Sequence, residues 1–158
     1  MYTQEICNWV IKQNGTVMLD FYSHQFNSST SRYFSELNST HITLKGAIDY
    51  DKLPETLIHY DVGVILYKGE TKNYVYNAPN KYFEYAACGL DVWYPQEMTG
   101  MKSNKQTNHK PLVLELDFKN LPENLLEMTK AEGEFIPTAH LDAEDVFDNL
   151  LKYIGSIG

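Results

Sequence analysis

The run Asn77-Ala78-Pro79-Asn80-Lys81-Tyr82-Phe83-Glu84 carries the residues of this chain best suited to hold an anionic, hydroxyl-bearing ligand. Pro79 presets a helical first turn, and the backbone N–H groups of such a turn have no intrahelical acceptors. Free N–H donors with Lys81 beside them suit a diphosphate. Glu84, one turn on, can accept two hydrogen bonds from the hydroxyls of a ribose. At spacings of three and four, Asn80, Lys81 and Glu84 share one helix face, whereas Phe83, Ala86, Ala87 and Leu90 fall on the opposite face and would pack on a sheet. The same residues also admit a structural reading, in which Lys81 and Glu84 form a solvated pair and Asn80 is a capping residue.

Other candidates are weaker. Asp49-Tyr50-Asp51 places two carboxylates one residue apart, a pattern able to chelate a divalent cation. Asp51, however, also stands where an N-cap of the following helix belongs, and short acidic patterns arise readily in a chain with 21 Asp and Glu. His24 follows an apolar run and would either donate to a phosphate or act as a base, or simply be solvated. Asp20 lies inside that apolar run, where a charge needs a hydrogen-bond partner or a strand end. Tyr67, Tyr74 and Tyr76 offer aromatic faces to a base or sugar. Cys7 and Cys88 have no metal-ligand spacing and read as reduced core residues.

The elements that must position these residues follow from periodicity. Residues 3–13 put Ile6, Trp9 and Val10 at helical spacing before the Asn14-Gly15 stop. Thr16–Tyr22, His41–Lys45, Asp61–Tyr67 and Leu90–Tyr94 are short apolar runs that read as buried strands, and a further apolar run stands at Pro111–Leu116. Between them lie helices at Ser31–Leu37, Leu53–His59 and Pro79–Cys88, the last closed by Gly89. Residues 96–111 read as a long irregular connection, and Asp142–Ile154 as a terminal helix. Apolar strands alternating with helices predict an α/β fold with one doubly wound, mainly parallel sheet. Ligands of such folds bind at the carboxyl ends of the strands, which is where the loop before Pro79 leads.

A length of 158 residues fits one domain, and 43% hydrophobic residues supply a core. The net charge of −8 repels phosphate backbones and anionic lipid, which excludes nucleic-acid binding by bulk field. No apolar run approaches the ~20 residues of a membrane span, and no basic-then-apolar leader opens the chain, so the sequence reads as cytoplasmic.

The run Pro79–Leu90 resembles the donor-site helix of bacterial glycosyltransferases of the GT-B fold, a family that builds polysaccharides. The preceding stretch resembles that family in order and spacing: the strand His41–Gly46, the Leu53-Pro54 helix and the Asp61-Val62-Gly63 strand. The resemblance spans about residues 3–94. It implies that the chain is a single Rossmann-like donor-binding domain, truncated at its N-terminus and without the acceptor domain of the full enzyme. By the same resemblance, Glu84 binds the ribose, and Asn80 and Lys81 lie near the diphosphate or sugar. Asn77, Pro79, Tyr76, Tyr67 and His24 complete the expected donor site. The substrate would be a UDP- or GDP-linked sugar, passed to a glycan or lipid-linked acceptor without a bound metal, with the full enzyme lying peripherally at the inner membrane. Asp91 stands where the family has proline, and Tyr76 where many relatives have a glutamate contacting the transferred sugar. The chain alone is expected to transfer no sugar. The alternative is a stand-alone α/β module that binds a nucleotide or a partner and has no transferase activity.

Overall fold

The computed structural model describes residues 1–129. The expected helix at 142–154 lies outside them. Within them the chain is α/β, and every strand pairing is parallel. The first helix, α1 (Thr3–Lys12), turns Ile6, Cys7, Trp9 and Val10 inward. It ends at Asn14 and Gly15, both at positive φ (50° and 86°), which reverse the chain into β1 (Leu19–Tyr22). Helix α2 (Ser28–Leu37) starts earlier than the periodicity suggests because Asn27 Oδ1 accepts the Thr30 N–H at 2.8 Å and caps it. It leads to β2 (Ile42–Lys45), and then a single 3₁₀ turn (Tyr50–Lys52) enters α3 (Leu53–Leu57). Strand β3 (Val62–Val64) is followed by α4 (Lys72–Tyr76), α5 (Asn80–Ala87) and β4 (Asp91–Pro95). The 96–111 connection holds a 3₁₀ helix (Thr99–Asn104), and β5 (Val113–Leu116) precedes a second 3₁₀ turn (Phe118–Asn120) and α6 (Leu125–Met128).

The described strands do not form one sheet. They form two, ordered β1-β2 and β3-β4-β5. Only β4 is buried along its whole length, as expected of a strand covered on both faces, whereas β1, β2 and β3 are half-buried or exposed at most positions. One apolar cluster nevertheless serves both sheets. Ile6, Trp9 and Val10 of α1 lie at its centre with Trp93 and Phe118, and Leu19, Phe21 and Ile42 of one sheet pack on it with Val62, Val64, Leu114 and Leu116 of the other. A second cluster, on the α5 side, gathers Ile65, Tyr82, Ala86, Val92, Tyr94, Met98 and Met101.

Two sequence expectations about packing are corrected here. The inward face of α5 is carried by Tyr82 and Ala86, while Phe83 is 38% exposed and Ala87 is exposed. Gly89, at φ 80°, ends the helix and is followed by the buried Leu90. Asp51 is not an N-cap, because the position before α3 is Lys52, without a side-chain hydrogen bond. Asp20 finds the partners its burial demands, accepting the Tyr60 hydroxyl at 2.6 Å with Lys45 Nζ at 3.8 Å. Cys7 is buried and Cys88 half-buried, both as free thiols. No described helix is long and apolar enough to cross a membrane.

Candidate functional site

The loop leaving β3 and the helix α5 bring the sequence candidates to one place. Tyr67 comes just after β3, and α4, which the sequence did not announce, lays Tyr74 on it. The two rings stack at 4.6 Å between centroids and 9° between planes. Thr71 Oγ1 caps α4 by accepting the Tyr74 N–H at 3.3 Å, which fixes the tyrosine that makes the stack. Glu84, in the middle of α5, is half-buried. Burial, then Tyr74 and the Glu84 charge, raise the Tyr67 phenol above its ordinary value. Burial and the same carboxylate push Tyr85 up to about 12 and raise the Cys88 thiol. The Glu84 carboxylate is thus within electrostatic reach of Tyr67, Tyr85 and Cys88.

Glycines decide how closely these parts approach. A Cβ on Gly63 would lie 2.8 Å from Tyr85 Cε2 and closer still to Cγ and Cδ2, so the bare glycine in β3 admits the ring that seats α5. A Cβ on Gly69 would lie 2.8 Å from Glu97 Cβ, and one on Gly100 would strike the Tyr76 backbone. Thr99 Oγ1 donates to the Val75 carbonyl at 3.2 Å. The loops after β3 and β4 are therefore packed on one another, and α4 rests on the second.

At the start of α5, Pro79 is not inside the helix but is its buried N-cap, extended at φ −71° and ψ 150°. The Tyr82 N–H returns to the Pro79 carbonyl at 2.9 Å, while the Asn80 and Lys81 N–H groups make no such backbone bond. Asn80 makes no capping hydrogen bond, because a residue already inside the helix cannot cap it. Lys81 is exposed, and among the described residues neither Lys81 nor Glu84 forms an ion pair within 4.0 Å. The solvated Lys81–Glu84 pair is thus absent. Asn77 follows α4, and its Oδ1 is a buried acceptor without a partner among the described residues.

Two expected members stand apart. Tyr76, at the end of α4, is 69% exposed and makes no aromatic contact among the described residues. His24 lies exposed in the loop after β1, in the other sheet, with no hydrogen bond or ion pair to α5 among the described residues. Asp49 pairs with Lys52 at 3.7 Å, both exposed, and no described group of three or more His, Cys, Asp or Glu is arranged to hold a metal.

A polar cluster that sequence reasoning missed sits at the same sheet edge. Glu97, two residues past β4, accepts the Tyr2 hydroxyl at 2.6 Å and lies 3.7 Å from Lys119 Nζ. Lys68 pairs with Glu5 at 3.0 Å and lies over the Tyr2 ring at 5.1 Å. Burial alone would raise the Glu5 carboxyl, but its backbone hydrogen bond and the Lys68 ammonium outweigh that and hold it below its ordinary 4.5. No sequence pattern links Tyr2 to Glu97, since they are 95 residues apart. Opposite this edge, Asp91 at the start of β4 is 5% exposed, accepts the Leu112 N–H at 2.7 Å and pairs with Lys110. It therefore anchors β4 to the chain entering β5, away from the α5 carboxylate.

A tyrosine stack, a carboxylate within electrostatic reach of it, two free helix amides and an unpaired lysine can together hold an aromatic base, a vicinal diol and an anion. No family model, curated protein or solved structure matches the chain.

Proposed function

We propose that this chain is the donor-binding part of a glycosyltransferase and holds a nucleoside diphosphate sugar at the carboxyl edge of β3. In this reading the domain is one Rossmann-like, doubly wound half of a GT-B fold. The observation that carries it is the Tyr67–Tyr74 stack, with the Glu84 charge acting on Tyr67 from a helix whose first amides lack backbone acceptors. A base would extend the stack, the ribose hydroxyls would donate to Glu84, and the diphosphate would meet the Asn80 and Lys81 N–H groups and the Lys81 ammonium. Asn77 Oδ1 supplies a further acceptor for a sugar hydroxyl.

The chemistry asked of these residues is electrostatic. As the bond from sugar to diphosphate breaks, negative charge grows on the departing phosphate, and fixed N–H donors with Lys81 stabilise it without reorganising. No nucleophile of this chain is required. The acceptor hydroxyl and its base would be provided by an acceptor domain, so this polypeptide alone transfers no sugar, and the acceptor is a glycan or a lipid-linked saccharide.

Calorimetric titration with UDP, GDP and ADP, and with UDP-glucose and GDP-mannose, tests the reading. One nucleotide should bind, and Glu84→Ala should weaken it by about 1.5–3 kcal/mol, the range for hydrogen bonds to a charged group. Failure of every nucleotide to bind, or binding indifferent to Glu84→Ala, overturns it.

A further inference from the structure

We infer that Glu97, Thr99 and Gly100, in the loop after β4, are positioning residues for the base platform: they seat α4 and so hold the Tyr74 ring on Tyr67. That this ring pair receives a base rests on the nucleotide reading above. The seating itself rests on contacts within the chain.

Helix α4 cannot hold itself in place. It has 5 residues, far short of the about 12–15 at which an isolated helix becomes even marginal in water. Lys72, Asn73 and Tyr76 are exposed, and Tyr74 and Val75 are half-buried, so little apolar burial fixes it. The Thr71 cap lies in the same segment and orients α4 against nothing outside it. The place of Tyr74 is therefore set by what α4 leans on.

That support is anchored from beneath. Met98 and Met101 are fully buried in the cluster on the α5 side, the Met98 N–H donating to Pro95 O at 2.9 Å and the Met101 N–H to Met98 O at 3.0 Å. Between these anchors Thr99 Oγ1 donates to Val75 O at 3.2 Å, and Gly100 lies against the backbone of Tyr76. A Cβ on Gly100 would fall 2.9 Å from Tyr76 Cα and nearer still to its carbonyl. Gly100 is not at positive φ, so space alone calls for glycine there. The other arm of the stack closes on the same loop. Gly69, two residues past Tyr67, approaches so near that its Cβ would lie 2.8 Å from Glu97 Cβ and 3.3 Å from Val75 Cγ2. Glu97 in turn accepts the hydroxyl of the buried Tyr2 at 2.6 Å and lies 3.7 Å from Lys119 Nζ. Residues 97–100 thus touch both the loop that carries Tyr67 and the helix that carries Tyr74.

The stack has little slack. Its centroid separation of 4.6 Å stands at the short end of the about 4.5–7 Å found for ring pairs. Any side chain at Gly100 must displace α4, because Met98 and Met101 hold the loop, and a shifted α4 parts or tilts the rings. A base would then lose the flat face it extends.

The test compares Gly100→Ala, Thr99→Val and Thr99→Ser in the full chain, with the tyrosine Cζ atoms isotopically labelled for magnetic resonance. In the unsubstituted protein the ring protons of Tyr67 and Tyr74 should show mutual Overhauser effects, and Tyr67 should titrate above the ordinary phenol range, since burial and then Tyr74 raise it. Gly100→Ala should abolish the ring contact and bring the Tyr67 titration down. Tyr94, pushed up to about 12 by burial and then the Glu115 charge, should stay where it is, because it lies in the cluster that anchors the loop. Thr99→Val should shift Tyr67 the same way by less, and Thr99→Ser, which keeps the donor to Val75, should leave it unchanged. Whichever nucleotide the unsubstituted chain binds should bind roughly fivefold or more weakly to Gly100→Ala, the lower end of what a stacked base contributes. Should Gly100→Ala fail to fold, the contrast between the two Thr99 variants decides by the same ring measurements. An unchanged ring contact and Tyr67 titration in Gly100→Ala, or Thr99→Ser behaving like Thr99→Val, overturns the inference. So does a Tyr94 titration that falls with that of Tyr67, because the loop rather than α4 would then have yielded. If the unsubstituted chain binds no nucleotide, the donor-site reading fails, while the ring measurements still uphold or overturn the seating.

Discussion

Replacing Gly63 by alanine should destabilise the protein although alanine is the better residue for the backbone. Gly63 is not among the glycines at positive φ, so the exchange alone would reduce the entropy of the unfolded chain and add about 0.4–1 kcal/mol of stability. The added Cβ, however, would lie 2.8 Å from Tyr85 Cε2 and nearer still to Cγ and Cδ2, where carbon atoms pack at about 3.5–4 Å. The ring must retreat by about an ångström or more, and Tyr85 is held on its other side by the α5 that carries it. Overpacking of this kind costs about 1–3 kcal/mol, which matches or exceeds the entropic gain, and Gly63→Ala should come out about 0–2.6 kcal/mol less stable. Urea unfolding followed by the fluorescence of Trp9 and Trp93 measures it, since both indoles lie in the shared core. The cycle with Tyr85→Leu isolates the cause. In the leucine background the alanine should be neutral or stabilising, giving a coupling of at least about 1 kcal/mol. A Gly63→Ala penalty that is the same in both backgrounds would refute the seating of α5 by Tyr85, and with it the placement of Glu84.

Three further outcomes follow from the same geometry. Asp91→Ala leaves the buried Leu112 N–H without its acceptor and Lys110 without its partner, and should cost about 3 kcal/mol in urea unfolding. Asp91→Asn keeps an acceptor for that N–H and should cost less. Glu84→Gln removes a charge that helps hold Tyr67 and Tyr85 neutral, so both phenols should ionise at lower pH in an ultraviolet titration, Tyr85 falling from about 12. Glu5 is held below its ordinary 4.5, so the stability it adds is complete above about pH 4.5 and drains away as the pH falls through its folded value. Glu5→Gln should flatten that acid limb of the stability curve.

How much was legible in advance varies along the chain for physical reasons. The stop at Asn14-Gly15 and the cap at Gly89 were readable because left-handed backbone favours those residue types. Helix α4 was not, because a helix this short has almost no periodicity to show, and it is held by packing on the 99–104 turn. The inward face of α5 was misjudged since Phe83 and Tyr82 are equally plausible core residues by type. The rotation of the helix against the sheet decided between them, burying Tyr82 and Ala86, and that rotation is set by packing rather than by residue type.

By itself the sequence determined the alternation of apolar strands and helices, the parallel pairing that alternation demands, and the candidacy of Asn80, Lys81 and Glu84, because local periodicity and helix-start chemistry are written in adjacent residues. Only the tertiary structure decided that Tyr67 and Tyr74 stack, that Tyr76 and His24 stand apart, that Glu97 meets Tyr2, and that the described strands divide into two sheets. Those are contacts between residues far apart in sequence, and they are set by which side chains and backbone edges the packed elements bring within reach.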